Sequence, residues 1–245
     1  MPVTHLPCNV PPAGSIGKRM APFWLSEAAV IFLSLSGILA LVIATDILFG
    51  RRQKMMVMNF VWPITALWSG PVGFYVYWTI GRQPHGHEHG ENNGNGGKPF
   101  WHSVLTGTSH CGAGCTVGDL AGEWIVFLGG LTLAGSVLWA NYAVDFACAY
   151  LAGIVFQYYS IAPMRGLSGW PGIKAALKAD TISLVAYEIG MFAWMGLTSQ
   201  VFFHPHLEPT EAAYWFMMQV AMFVGFLTAY PANVWLIRKG LKEAM

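Results

Sequence analysis

The chain has 245 residues, 55% of them apolar and 10% charged, with a mean hydropathy of +0.48. Soluble domains carry roughly 25% charged residues, so this composition excludes an ordinary soluble domain and points to a polytopic membrane protein. A net charge of +1 offers no basic surface for nucleic acid, and the expected partner is the lipid bilayer.

Residues 1–24 contain Pro2, Pro7, Pro11, Pro12 and Pro22 and read as an extended Pro-rich tail. No small-residue pattern closes a short apolar core, so no cleavable signal is expected. Ser26-Glu27 reads as a helix start, and Ala28–Phe49 as a first membrane span. Met55–Ile80 reads as a second span, interrupted at Trp62-Pro63 and Gly70-Pro71. Such breaks are either packing kinks or the lining of a binding site.

Residues 81–99 form a polar loop rich in His, Gly and Asn, in which His85, His87 and His89 alternate. Short His tracts collect metal ions, and the same composition also suits a plain linker. Phe100–Leu138 is too long for one upright span of about 20 residues. It must project from the membrane, or contain a separate piece at residues 100–114. Asn141–Ile161, Thr181–Phe203 and Ala212–Ile237 complete a four-helix membrane domain over residues 100–245. The expected fold is all-α: a helical membrane bundle of about six transmembrane helices, with no sheet.

Six crossings place ten Lys and Arg residues on the side of both chain ends and three (Arg51, Arg52, Lys54) on the other. The positive-inside rule then puts both termini in the cytoplasm of a prokaryotic cell, with the first loop dissenting.

The chemistry concentrates in residues 110–123. Read as helix, Cys111, Cys115, Asp119 and Glu123 form one row at spacing four, and Gly114, Gly118 and Gly122 form a groove beside it. The glycine groove would admit a second helix. Cys111 and Cys115 can share one ion, whereas Asp119 lies about 12 Å along the axis from Cys111 and belongs to another step. His110 points about 100° away from Cys111 and could join the thiols only if the backbone opened at Gly112 and Gly114. Intramembrane carboxylates are costly and usually functional. Here they are Asp119, Glu123, Asp145 and Glu188, with no cationic partner inside any predicted span. They read as a proton or ion path, or else as hydrogen-bonded structural groups.

Thiolates select Cu(I), Zn or iron–sulfur centres, and thioethers also suit Cu(I). The 12 methionines, however, fit core filling equally well. Cys111 and Cys115, with Cα atoms about 6 Å apart on a helix, could instead form a reversible disulfide. Haem on His110 is the weaker alternative, because no Cys-x2-Cys-His motif is present. Cys148 reads as packing, Cys8 lies in the tail, and four cysteines so spread make no disulfide scaffold.

Three stretches look familiar: Ser109-His110-Cys111-Gly112-Ala113-Gly114-Cys115 with Gly118-Asp119; Ala186-Tyr187-Glu188-Ile189-Gly190-Met191; and Tyr230-Pro231 through Asn233-Val234-Trp235-Leu236-Ile237-Arg238 to Gly240. In these the chain resembles an uncharacterised family of bacterial and archaeal integral membrane proteins, over roughly residues 98–245. The resemblance implies copper only by association, since some relatives are joined to multicopper-oxidase-like domains, and such a domain is a candidate partner.

The leading expectation is therefore a membrane protein that handles a thiophilic metal ion, Cu(I) first, as transporter or binding protein. In it His85, His87 and His89 collect ions, and His110, Cys111 and Cys115 hold one. Asp119, Glu188, Glu123 and Asp145 carry charge onward. The alternatives are a membrane redox protein using the Cys111/Cys115 dithiol or a His-held cofactor, and a structural subunit packed through its glycine face. No Walker loop, nucleophile elbow or metalloprotease signature is present, which argues against an enzyme of those classes.

Overall fold

The structure, a computed structural model, describes residues 22–53, 55–83, 99–166, 168–203 and 206–242. Helices dominate, and no strand is present among the described residues. Five helices are long and apolar enough to cross a membrane: α1 (Phe23–Leu48), α4 (Phe100–Gly129), α5 (Val137–Arg165), α6 (Trp170–Leu197, continued by a π turn at Thr198–Phe202) and α7 (Ala212–Arg238). The two short helices α2 (Met58–Ser69) and α3 (Pro71–Val76) lie between α1 and α4.

The expected second span is not a span. Helix α2 runs through Pro63 but stops at Gly70, whose φ of 56° and ψ of −129° no β-carbon favours, and Pro71 then starts α3. The two helices fold back on each other. Trp62 meets the ring of Tyr77 at 5.8 Å, a β-carbon on Gly81 would collide with Trp62, and one on Gly73 would lie 3.1 Å from Ala66 Cα. Both feet of this hairpin stand at the same end of the molecule. Gln53 Nε2 donates to Gly81 O at 3.0 Å and Arg51 to Gln83 O at 2.7 Å. Arg82 donates to both oxygens of Asp46, at 2.8 and 3.0 Å, and Tyr77 donates to the same carboxylate at 2.8 Å. The hydrogen bond to Asp46 also raises the pKa of Arg82. The hairpin tip reaches inward to Phe32 and Ser36 of α1, and Gln219 of α7 donates to Leu67 O at 2.8 Å.

Helices α4 to α7 form an up-and-down bundle, each antiparallel to the next. Gly114 lies on Gly153 and Gly118 on Ala149; Tyr150 reaches Thr181 and Tyr142 reaches Phe192; Asn233 bonds Ser183. In lipid no hydrophobic gain drives helices together, so close backbone approach and interhelical hydrogen bonds hold them. Residues such as Ile31, Leu41, Leu151, Val155 and Leu227 stay exposed on the outside, as a lipid-facing surface requires.

With five crossings and one hairpin, Phe23 and Arg238 lie at opposite ends of the bundle. The expectation that both chain ends share a side rested on an even number of crossings, and the described helices number five of spanning length. The hairpin also removes the dissenting loop. Every Lys and Arg among the described residues, from Arg51, Arg52 and Arg82 to Lys174, Lys178 and the Arg238–Lys242 segment, sits at one end, called here the basic end. The turns at the opposite end, residues 130–136 and 203–211, contain no Lys or Arg.

Two further boundaries move. The long run from Phe100 is one unbroken helix of 30 residues that ends at Gly130, in the left-handed conformation. Its length of about 45 Å exceeds a hydrocarbon core of about 30 Å, so it projects. Residues 172–178, ahead of the expected span Thr181–Phe203, are the first turns of α6, which places Asp180 inside that helix.

Candidate functional site

Helix α4 keeps regular backbone through Gly112 and Gly114, so side chains leave it at ordinary helical angles. His110 accordingly turns away from the thiols. Its Nε2 is hydrogen-bonded to Ser160 Oγ at 2.7 Å, and its ring packs 6.0 Å from Phe156 of α5. The predicted His110–Cys111–Cys115 set is therefore not assembled. Among the described residues no group of three His, Cys, Asp or Glu side chains is arranged to hold a metal ion. His85, His87 and His89 lie outside the described residues; Gln83 and Pro99, which flank them, border the basic end.

Cys111 and Cys115 are both free and buried, and their thiols stand next to each other. The glycines decide what faces them. Gly112 is bare because the Tyr187 hydroxyl lies where a β-carbon would sit, at 2.9 Å. Tyr187 donates to Met222 O at 2.9 Å and lies 3.6 Å from Met222 Sδ, so α4, α6 and α7 meet at this point.

From the thiols a file of buried protonatable groups runs both ways through the four-helix unit. Toward the basic end, Cys111 stands beside Asp180 of α6. The Lys242 ammonium reaches Asp180 Oδ1 and Gly107 O, each at 3.4 Å. Toward the opposite end, Cys115 stands beside Glu188 of α6, and Glu188 faces Asp119. Asp119 faces Asp145 of α5 and Glu123, which neighbour each other. Asn141 donates to Glu123 Oε2 at 2.8 Å, and the Tyr214 hydroxyl of α7 faces the same carboxylate. Both oxygens of Asp119 and of Glu188, and Oδ1 of Asp145, lack a hydrogen-bond partner among the described residues. No salt bridge joins them to a Lys or Arg among the described residues, and the buried Lys242 pairs with Asp180.

The four predicted carboxylates thus fall into one file with the two thiols, while the three predicted glycines form the seam beside it. Gly114, Gly118 and Gly122 each face α5 so closely that a β-carbon would meet Gly153, Ala149 or Asp145. Asp180, Lys242, Tyr187, Tyr214 and Met222 were not legible as site residues. Asp180 falls just before the expected span Thr181–Phe203, and Lys242 lies past the last expected span. Cys148, half-buried on α5, lies near Asp119.

A family model described as "Domain of unknown function (DUF4396)" matches residues 100–242, more than half of the chain. The chain belongs to the DUF4396 family. The DUF4396 match coincides with α4–α7 and reaches Lys242, and so contains the whole file; α1 and the α2–α3 hairpin precede it. No curated protein and no solved structure matches the chain.

Proposed function

We propose that this protein binds a thiophilic cation, Cu(I) being the ion that fits best, and passes it through the α4–α7 unit. One observation carries the reading: two adjacent buried thiols at mid-file, with Glu188 and Asp119, whose carboxylate oxygens have no hydrogen-bond partner among the described residues, on the side away from Lys242. A buried carboxylate without a partner must be neutral or must neutralise something positive. Thiolates with a thioether, here Met222 beside Tyr187, select soft monovalent copper over hard ions. Cys111 and Cys115 hold the ion; Glu188, Asp119, Asp145 and Glu123 move charge or protons toward the opposite end. His110 is left out of the ligand set because Ser160 occupies its Nε2. The asymmetry of Lys and Arg among the described residues supports a cytoplasmic basic end by the positive-inside rule, and with it cytoplasmic anchors for the His-rich loop.

The test is metal content and Cu(I) or Ag(I) titration of the detergent-purified protein, made without affinity-tag nickel, beside the Cys111→Ala/Cys115→Ala variant. About one ion per wild-type chain and none on the variant is the expected result; equal binding by both sinks the reading. The closeness of the two thiols also favours a redox reading, in which they cycle between dithiol and disulfide. Thiol trapping under oxidant and reductant separates the two, since a metal site with reduced thiols gives no change in the trapped state.

A further inference from the structure

The file ends, away from the basic end, in a cavity of about 340 Å³ enclosed by the end of α4, the start of α5, the end of α6 and the start of α7. We propose that this cavity binds a small organic cation, an amine or quaternary ammonium with an apolar body. The inference goes beyond the Cu(I) reading and does not depend on it.

Size is the first argument. A bare metal ion needs only a few ligands within about 2–2.5 Å, whereas a cavity of this volume falls in the range of small-molecule sites, about 300–1,000 Å³. Charge is the second. Glu123 and Asp145, side by side, both line it, and none of its lining residues is Lys or Arg. Asn141 fixes Glu123 through Oε2. Asp145 is only 2% exposed, its Oδ1 has no hydrogen-bond partner among the described residues, and it stands against Glu123, so the buried pair either shares a proton or takes a positive charge from outside, and a cation in the cavity supplies that charge. The walls are the third. Tyr142, stacked on Phe192 at 4.4 Å, offers aromatic faces that attract a cation, and Met191 supplies a pliable apolar surface. The same wall would give a small inorganic ion few oxygens to replace its water.

The experiment is calorimetric titration of the full-length protein in detergent with choline and with 2-phenylethylammonium, each beside a neutral isostere in which carbon replaces the charged nitrogen. At least one cation is expected to bind saturably, and its isostere about tenfold more weakly or worse. Asp145→Asn, which keeps the side-chain shape, is expected to weaken the cation about tenfold, and Glu123→Gln to do the same if Asp145→Asn fails to fold. Cys111→Ala/Cys115→Ala is expected to leave cation binding unchanged while losing copper. Failure of both cations, equal binding of the isosteres, or unchanged binding by the folded carboxamide variants overturns the proposal. Loss of copper alone bears only on the Cu(I) reading.

Discussion

Lys242 shows how one residue can invert the meaning of its neighbourhood. Its side chain is fully buried although it follows the last helix, because the chain turns at Gly240 (φ 65°) and Lys242 N bonds back to Leu236 O. The ammonium then lies between Gly107 O and Asp180, one step from Cys111. Removing one partner of a buried ion pair leaves an uncompensated charge and typically costs about 3–5 kcal/mol. Lys242→Met is expected to lower the thermal unfolding temperature in detergent clearly, and Lys242→Met/Asp180→Asn to recover much of the loss. A single variant as stable as wild type would show that the pair contributes nothing. His110 is the converse case. Its position beside two thiols invites a metal reading, but helical geometry sends it to Ser160. His110→Ala is therefore expected to leave the ion-to-protein ratio unchanged in the copper titration, and its loss would reinstate His110 as a ligand.

At the scale of elements, the α4–α5 seam is set by the glycine row. A β-carbon on Gly118 would overlap the Ala149 backbone, which cannot yield as a flexible side chain can. Gly118→Leu is expected to abolish a monodisperse folded species in size-exclusion chromatography. Gly130→Ala is the control. That glycine has positive φ (59°) but open space around it, so the substitution costs only the strain of the left-handed conformation, about 1 kcal/mol. Similar behaviour of the two variants would mean that α4 and α5 do not meet as closely as the structure has them. The α2–α3 hairpin rests on a different device, a reversal at Gly70-Pro71 whose feet are pinned by Asp46.

The whole molecule has two unlike ends. One gathers the Lys and Arg of the described residues; the other holds the cavity and turns with Glu208 and Glu211 but no Lys or Arg. The hairpin makes this asymmetry possible, and it can be checked directly. Single cysteines replacing Arg52, Gln83 and Gly240, labelled in oriented membranes with an impermeant maleimide, are expected to react from one side, and a cysteine replacing Gly135 from the other. Labelling of positions 52 and 83 from opposite sides would restore a sixth crossing.

The membrane class, the helical content and the last three crossings were written in composition and in apolar runs, because lipid enforces both helix and length. The row of Cys111, Cys115, Asp119 and Glu123 was equally legible, since four-residue spacing fixes one side of a helix wherever that helix goes. Local sequence could not say that Met55–Ile80 turns back, because an apolar stretch of that length suits a span and a hairpin alike. That was decided by contacts 31 and 36 residues apart, from Tyr77 and Arg82 to Asp46. Nor could it say which helix would face the thiols. Packing of α6 and α7 against α4 brought Glu188, Asp180 and Tyr187 to the file, and a turn past Arg238 brought its cation. Sequence by itself determined which groups lie at membrane depth; only the tertiary structure decided which stand together, because side chains on separate helices acquire neighbours through helix packing alone.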